Sequence, residues 1–393
     1  MIKEVTKDIT YVGCDDKTLD LFEGQYPIPN GVTYNSYVIL DDKIAIMDTV
    51  DKRGQDIWLK NIEAVLKDKI PDYLVVSHME PDHGASIQIL SEKYPSMKIV
   101  GNVKTFTMME QFFHTDFIQQ KMIVKEGDTL CLGKHNLQFI MAPMVHWPEV
   151  MMSYEQHEKT LFSADAFGTF GSFDQELWEE EARRYYLNIV GKYGLQVQNV
   201  LKKAKMLDIQ MICPLHGPVL NNHLDEYIHH YCLWSQYQPE ESGVLIAYAS
   251  IHGNTKDAVM YLAHLLEMQG ETVVMHDLCR TDVSYVVADA FRYDRLILAS
   301  SSYDGGVFCP METLLHHLKS KNFQNRDIAL IENGTWAPSA IKAMNEILEP
   351  MKNIHIMEPT VTIRSTLSEK NKAEFQILIK SIMEGGCKDE ICV

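Results

Sequence analysis

The segment that decides the fold reads His78-Met79-Glu80-Pro81-Asp82-His83-Gly84, and it directly follows the apolar run Tyr73–Ser77. A short apolar run of this kind is typical of a buried strand. In an extended or turning segment, the first two metal-binding side chains point to one side and the next two diverge around the turn. The segment therefore predicts a loop at a strand end that could serve two adjacent metal ions, with the candidate ligands His78, Glu80, Asp82 and His83.

Three further polar residues occupy positions of the same kind. His146 follows the segment Phe139–Val145, Asp165 ends the strand-like run Thr160–Ala164, and His216 follows Gln210–Leu215. Residues where a strand gives way to a loop commonly form functional sites. A single histidine such as His146 can equally be structural, but we interpret the whole set as metal ligands. The remaining histidines, including His229-His230 and His316-His317, are interpreted as structural.

The chemistry of this set favours a two-metal site. Three carboxylates and four neutral imidazoles offset about three of the four positive charges of a diferrous pair, so that a bridging hydroxide would bring a buried centre near neutrality. Carboxylate oxygen also suits the higher oxidation states of iron. Zinc stays open on ligand type alone. Two adjacent metals could hold either a diatomic substrate or a hydrolytic water.

The second half of the chain has a different pattern of apolar segments. A polar stretch at Gln236–Gly243 separates it from the first half and from an aromatic helix predicted over Tyr227–Trp234. Beyond it, apolar strands alternate with helix-length segments, which is typical of a doubly wound parallel sheet. The strands are predicted at Val244–Ala249, Thr272–Met275, Leu296–Ala299, Ile328–Ile331 and Thr360–Ile363. We therefore predict two domains, residues 1–242 and 243–393, the first of mixed α/β structure.

Three loops at the ends of these strands form a candidate cofactor site. The first precedes a helix, so its backbone N–H groups could bind phosphate, although such loops are also common helix caps. The other two combine small residues with an aromatic beside which a flat ring could lie. No Gly-x-Gly-x-x-Gly follows a strand, so dinucleotide binding is not predicted. The candidate residues are Ser250, Ile251, His252, Gly253, Asn254 and Thr255; Ser302, Tyr303, Asp304, Gly305 and Gly306; and Asn333, Gly334, Thr335 and Trp336.

The ligand pattern resembles the metallo-β-lactamase superfamily, whose hydrolases usually carry His-x-His-x-Asp-His. Here Glu80 replaces the second histidine, which is the mark of the flavodiiron proteins, and Pro214–Pro218 resembles their last motif. The interval from Asp165 to His216 is shorter than in many members, as a deletion around Gly171–Glu179 would explain. The resemblance implies that one iron is bound by His78, Glu80 and His146, the other by Asp82, His83 and His216, with Asp165 bridging.

The second half resembles flavodoxin, which implies FMN as its cofactor, although His252 stands where flavodoxins carry Ser or Thr. The implied fold is an N-terminal metallo-β-lactamase-like αββα sandwich followed by a C-terminal flavodoxin-like doubly wound parallel sheet. The implied activity is reduction of dioxygen to water or of nitric oxide to nitrous oxide, with residues near Trp147 and Tyr26 deciding between them. The implied partners are an external rubredoxin-like electron donor and a second copy of the chain, in a head-to-tail homodimer or a dimer of dimers.

Composition is consistent with a cytoplasmic enzyme. The net charge of −18 argues against nucleic acid or an anionic membrane as a partner. No signal peptide or membrane-spanning run is predicted. The eight cysteines are scattered as in a reduced cytosolic protein, and Cys387 and Cys392 could pair, bind metal or lie in a solvated tail. Two alternatives stay open: a zinc-dependent hydrolase with an appended flavodoxin module, and an electron carrier whose first half is a scaffold.

Overall fold

The computed structural model describes residues 1–173 and 178–385. The chain divides into two compact units, Met1–Cys232 and Leu233–Val393. The helix Leu224–Ser235 confirms the predicted aromatic helix and carries the chain from one unit to the next. Cys387 and Cys392 lie outside the described residues, so their roles stay open.

The first unit is built on two main sheets. Its strands are, in chain order, β1 (Lys3–Glu4), β2 (Ile9–Tyr11), β3 (Cys14–Asp16), β4 (Leu21–Phe22), β5 (Tyr26–Pro27), β6 (Val32–Tyr34), β7 (Tyr37–Ile39), β8 (Ala45–Met47), β9 (Tyr73–Val75), β10 (Lys98–Gly101), β11 (Lys121–Ile123), β12 (Thr129–Cys131), β13 (Asn136–Met141), β14 (Met151–Glu155), β15 (Thr160–Phe162) and β16 (Met211–Cys213). The first sheet has the order β1-β2-β7-β8-β9-β10-β11 and becomes parallel from β8 onward. The second has the order β12-β13-β14-β15-β16 and is antiparallel except for the pair β15–β16. Two short hairpin-like ladders, β3–β6 and β4–β5, complete the strands.

Helices cover the outer face of the first sheet. The helices of this unit are α1 (Gln55–Leu66), α2 (Pro81–Gly84), α3 (Ile87–Lys93), α4 (Val103–Phe113), α5 (Trp178–Tyr185) and α6 (Gly194–Ala204). Successive side chains of a strand point to opposite faces, and β8 shows the result. Its Ile46 packs among helix residues such as Trp58, whereas Ala45 and Met47 pack against residues of the second sheet such as Phe139. Within the described residues, one layer of the core therefore lies between the sheets and another lies between the first sheet and its helices.

The second unit is a parallel sheet flanked by helices. Its elements after Leu224–Ser235 (α7) are β17 (Glu241–Ala249), α8 (Asn254–Met268), β18 (Val273–Asp277), α9 (Val283–Arg292), β19 (Tyr293–Tyr303), β20 (Gly306–Val307), α10 (Cys309–Ser320), β21 (Arg326–Asn333), α11 (Ala340–Leu348), β22 (Ile354–Ile356), β23 (Val361–Ile363) and α12 (Glu369–Glu384). The order β18-β17-β19-β21-β22, with β23 also on β21, is the flavodoxin-like 2-1-3-4-5 arrangement. In such sheets ligands bind at the carboxyl ends of the strands.

The predicted fold class is confirmed. The sequence missed β22. After α5 the chain forms a π-helical turn at Tyr186–Val190. The predicted deletion point at Gly171–Glu179 falls partly outside the described residues. The strand β17 begins at Glu241, and the division of function at residue 242 stays a prediction.

Candidate functional site

The seven predicted metal ligands lie at strand ends of both sheets of the first unit. His78 to His83 follow β9 of the first sheet, while His146, Asp165 and His216 follow β13, β15 and β16 of the second. Pro81 starts the short helix α2, because its fixed φ suits a first helical position. Asp82 and His83 therefore lie on a helical turn, where the sequence predicted a loop.

Four of the seven side chains form one group. Nε2 of His78 lies 3.2 Å from Oε2 of Glu80 and 3.2 Å from Oδ2 of Asp165. Nε2 of His146 lies 3.1 Å and 3.3 Å from the same two oxygens. Ligand atoms about 2.0–2.2 Å from a shared metal ion are about 3.0–3.5 Å from one another at tetrahedral or octahedral angles. The group therefore has the dimensions of a metal site.

The other three side chains form a second group with similar spacing. Oδ2 of Asp82 lies 3.3 Å from Nε2 of His83 and 3.1 Å from Nε2 of His216. The two imidazole nitrogens are 3.1 Å apart and face each other. At most one nitrogen of such a pair can donate a proton to the other, whereas both can donate lone pairs to a metal ion between them.

Asp165 lies between the two groups. Its carboxylate is 1% exposed, and neither oxygen has a hydrogen-bond partner among the described residues. Oδ2 faces His78 and His146, and Oδ1 lies 3.6 Å from Nε2 of His216. Burial alone would raise the pKa of Asp165, but His78 and His146 hold it well below its usual range. Burying a carboxylate without hydrogen bonds costs free energy, and a cation near each of its two oxygens would offset this cost.

The protonation of the histidines responds to the same carboxylates. Burial tends to lower the pKa of His146, but Asp165 and Glu80 outweigh it and raise that pKa to about 9. The pKa of His78 is likewise raised above its ordinary value, against burial, by Asp165 and by Glu149. In the absence of a metal ion, protons thus take its place at these nitrogens.

Two groups outside the ligand set fix the orientation of ligand histidines. Oε1 of Glu149 lies 2.8 Å from Nδ1 of His78 and accepts a hydrogen bond of 2.8 Å from the backbone N–H of Met79. The carbonyl oxygen of Thr33 lies 2.6 Å from Nδ1 of His216. Metal-binding histidines usually donate their second N–H to such an acceptor. The sequence analysis missed Glu149, although its place three residues after His146 could have drawn attention to it.

Aromatic rings enclose the ligands. The ring centroid of Trp147 is 5.2 Å from that of His78, and the rings of Phe22 and Tyr185 are 5.4 Å and 5.6 Å from His216. Tyr26 donates a hydrogen bond of 3.2 Å to the carbonyl of Asn188 and packs near Phe170. An apolar surround of this kind excludes water and strengthens the electrostatic interactions inside it.

The second unit contains a cleft of about 590 Å³ at the carboxyl ends of β17, β19 and β21. Thirteen of the fifteen predicted cofactor residues line it; the exceptions are Gly253 and Gly306. Four further residues line the cleft and were not among the predicted ones, namely Ser301, Ala337, Ser339 and Ser365. The volume of this cleft is in the range of small-molecule sites and suits a mononucleotide.

The loop before α8 is arranged as an anion-binding site. Gly253 adopts φ +93°, a conformation that favours glycine. Oγ of Ser250 accepts hydrogen bonds from the N–H groups of Gly253 (3.1 Å) and Lys256 (3.3 Å). The N-cap residue Gly253 has no side chain, and among the described residues Ser250 binds only the N–H of Lys256 in the first turn of α8, so the N–H groups of Asn254 and Thr255 and the helix dipole can receive a phosphate. At the opposite rim of the cleft, Trp336 is 88% exposed and offers an unpacked ring face.

Comparison with known proteins gives one match within the first unit and others over nearly the whole chain. A family model described as ODP family beta lactamase matches residues 32–217. The nitric oxide reductase of Moorella thermoacetica is 29% identical over 373 residues, which are 92% of each chain. The rubredoxin oxygen:oxidoreductase of Desulfovibrio gigas is 25% identical, with a TM-score of 0.91 over 98% of each chain.

Other matches either have lower sequence identity or are much longer than this chain. The flavodiiron protein of Giardia intestinalis has a TM-score of 0.90 over 98% of this chain and 97% of its own, and at 22% identity it shares the fold. The chain spans about half the length of the cyanobacterial diflavin flavoproteins that it matches. Among residues 1–173 and 178–385, no helix combines the length and apolar character needed to cross a membrane.

Proposed function

Because the chain belongs to the flavodiiron protein family, we propose that it is a cytoplasmic oxidoreductase that reduces dioxygen to water, nitric oxide to nitrous oxide, or both. Flavodiiron homologues carry FMN and a non-haem diiron site, and the residues of this chain fit both groups. The activities named for the Moorella and Desulfovibrio proteins support the two substrates. None of the six described cysteines forms a disulfide, which supports a reducing compartment.

The observation that carries this proposal is the position of Asp165. Its two oxygens face two separate ligand groups from inside the protein, as a bridging carboxylate requires. We assign His78, Glu80 and His146 to one iron and Asp82, His83 and His216 to the other. The carboxylate of Glu80 in place of a third imidazole favours iron over the zinc of a hydrolase.

The protein residues prepare this centre for a small, uncharged substrate. Asp82, Glu80 and Asp165 offset most of the positive charge, and the rings of Trp147 and Tyr185 keep bulk water away. When bound, the irons and FMN together supply up to four electrons, two from each. Dioxygen needs four electrons and four protons to give two waters, and two nitric oxide molecules need two of each to give nitrous oxide and one water.

We propose further that the cleft of the second unit binds FMN, with the phosphate at the start of α8 and the ring near Tyr303 and Trp336. On this proposal residues 1–242 are the diiron domain and residues 243–393 the FMN-binding domain. The exposed ring of Trp336 would lie where an electron-transfer partner meets the flavin. The name of the Desulfovibrio protein supports a rubredoxin-like donor for this chain, and we propose that the working form is a head-to-tail homodimer, alone or paired into a dimer of dimers.

The test is a consumption assay on protein of measured metal and flavin content. The protein is reduced without oxygen and then exposed to dioxygen or nitric oxide in separate runs. We expect iron and FMN in the purified protein and consumption of at least one gas. Glu80→Ala and His146→Ala should abolish consumption while FMN stays bound, and His114→Ala, which changes an exposed histidine, should behave as wild type.

Each contrary result has a defined meaning. Zinc in place of iron, with FMN inert toward both gases, would support the hydrolase alternative. Full consumption by the Glu80 and His146 variants would support the electron-carrier alternative. The ratio of the two rates in the wild type ranks dioxygen against nitric oxide.

A further inference from the structure

Another group of potential ligands, separate from the two groups of the candidate metal site, lies where three turns of the first unit meet. Asp8 is in the turn before β2, His135 precedes β13, and Glu158 precedes β15. One ligand atom of each lies within 4.8 Å of the others. We call these three residues the His135 cluster. It is at the opposite ends of β13 and β15 from His146 and Asp165, about 20 Å away for a six-residue strand.

The feature that requires explanation is His135 itself. Its side chain is fully buried, and neither ring nitrogen has a hydrogen-bond partner among the described residues. Nε2 lies 3.6 Å from Oδ2 of Asp8, and Nδ1 lies 3.0 Å from Oε1 of Glu155 without the alignment of a hydrogen bond. Buried polar groups are nearly always paired, because an unpaired one costs free energy. The imidazole therefore lacks a partner on the side where Asp8 and Glu158 lie.

We propose that the His135 cluster binds one divalent transition-metal ion, with Nε2 of His135 and carboxylate oxygens of Asp8 and Glu158 as protein ligands and water completing the coordination. Imidazole and carboxylate are both zinc ligands, and zinc binds to such sites more tightly than ferrous iron does. The ligand atoms need to approach by about 1 Å to reach bonding separations. The side chains of Asp8 and Glu158 are half-buried, so rotation about their side-chain bonds can supply this movement while the backbone stays in place.

Glu155 is the positioning residue of this site. It is fully buried, and its two oxygens accept hydrogen bonds from the N–H groups of His157 (2.7 Å) and Glu158 (2.6 Å). These bonds fix the turn that carries Glu158. They also hold the carboxylate beside Nδ1 of His135, where it favours a proton on Nδ1 and leaves the lone pair of Nε2 for the metal. Carboxylates of this kind commonly orient metal-binding histidines.

Lys134 is the internal competitor for the same oxygen. Its Nζ contacts Oδ2 of Asp8, and its side chain is 44% exposed. A metal ion at the cluster has to displace this ammonium group, which can swing into solvent at little cost. The site is therefore weakened by Lys134, and removal of that charge should tighten metal binding. A histidine that is merely structural predicts no such effect.

The experiment is a zinc titration of the iron-loaded, FMN-containing protein by calorimetry, with zinc and iron contents measured after dialysis. We expect one zinc per chain with all iron retained. His135→Gln and Glu158→Gln should each weaken zinc binding at least ~100-fold, and Glu155→Gln ~10–100-fold. Lys134→Met should tighten it several-fold, and His157→Ala, a change at the exposed neighbouring histidine, should leave it unaltered.

Several outcomes would overturn the proposal. They are the absence of zinc uptake, uptake only with loss of iron, and equal zinc affinity in wild type and Glu158→Gln. Glu158 is half-buried, so its variant provides a decisive result even if His135→Gln fails to fold, and circular dichroism with FMN content verifies the fold of each variant. The result does not depend on which gas the enzyme reduces.

Discussion

Glu149 offers a sharp test of how the protein holds its metal centre, because it touches a ligand without being one. It is 1% exposed, and one oxygen serves both Nδ1 of His78 and the backbone N–H of Met79. The substitutions Glu149→Gln and Glu149→Ala therefore change the support of His78 and leave all seven ligands in place. We expect iron affinity to fall in both variants while FMN binding is unchanged.

The expected magnitudes follow from these two contacts. Glutamine keeps an acceptor oxygen for both donors and loses the charge, which costs about 1–1.5 kcal/mol, or about tenfold in affinity. Alanine leaves both donors of His78 and Met79 buried without an acceptor. At about 1–3 kcal/mol for each unsatisfied group, and with part of the cost recovered by a water in the space vacated, iron affinity should fall about 100-fold.

The assay is competition for ferrous iron against a chelator of known affinity, on anaerobic protein with FMN content measured in parallel. Glu63→Gln, a change at a glutamate whose side chain is 51% exposed, is the matched control and should retain wild-type affinity. The reasoning is refuted if Glu149→Ala binds iron within about twofold of wild type. It is also refuted if the glutamine and alanine variants lose the same amount, since the retained acceptor would then contribute nothing.

Three further predictions follow from the site and the core. In metal-free protein the pKa of His146 is about 9 and that of His78 is also raised well above its ordinary value, so iron must displace protons from both nitrogens. Its affinity should therefore rise between tenfold and about 100-fold per pH unit from pH 6 to 8, as chelator competition at several pH values would show; a flat profile contradicts this. Burial raises the pKa of Asp48 from 3.8 to about 6, so its contribution to stability is complete below pH 3.8 and is lost as pH rises through 6. Asp48→Asn keeps the acceptor for the N–H of Ser77, and in iron-free protein it should raise the free energy of unfolding in urea by about 3 kcal/mol at pH 7.5. This gain should shrink toward pH 4. Ser250→Ala removes the acceptor for two N–H groups of the phosphate loop and should weaken FMN binding about tenfold in a fluorescence titration, without changing iron content.

Much of the architecture could be predicted because it follows from local patterns. Apolar strands alternating with helices indicated the parallel sheet of the second unit, and polar residues at strand ends indicated the seven candidate ligands that the structure brings together. The grouping of His78 with His146 depends on contact between segments from different sheets, which no local pattern contains. The sequence indicated the candidate ligands, and the tertiary structure determines which of them meet.

The parts that were missed share this dependence on tertiary contacts. Glu149 looks like an ordinary glutamate in the sequence, and only the folded chain places its carboxylate under His78. Ser339 and Ser365 were missed because they lie outside the three predicted loops, and only the folded chain brings them to the cleft. The short strand β22 alternates apolar and polar residues only over Ile354–Ile356, which is too short a run to predict a strand. The helical turn at Pro81–Gly84 depends on close packing, since a Cβ at Gly84 would lie 2.9 Å from the carbonyl of Met79.

Four of the seven proposed ligands follow a strand of the first sheet and three follow strands of the second, so a metal centre bound by them would be a crosslink between the two halves of the sandwich. Ions held by both sets oppose separation of the sheets, so part of their binding free energy is also free energy of folding. Metal affinity depends in turn on how well the two sheets pack together. A cavity in the layer between the sheets, such as one left by Phe139→Ala, would allow the ligand sets to drift apart and loosen the ions from a distance. In this protein, then, the apolar residues between the sheets contribute to metal affinity as well as to the hydrophobic core.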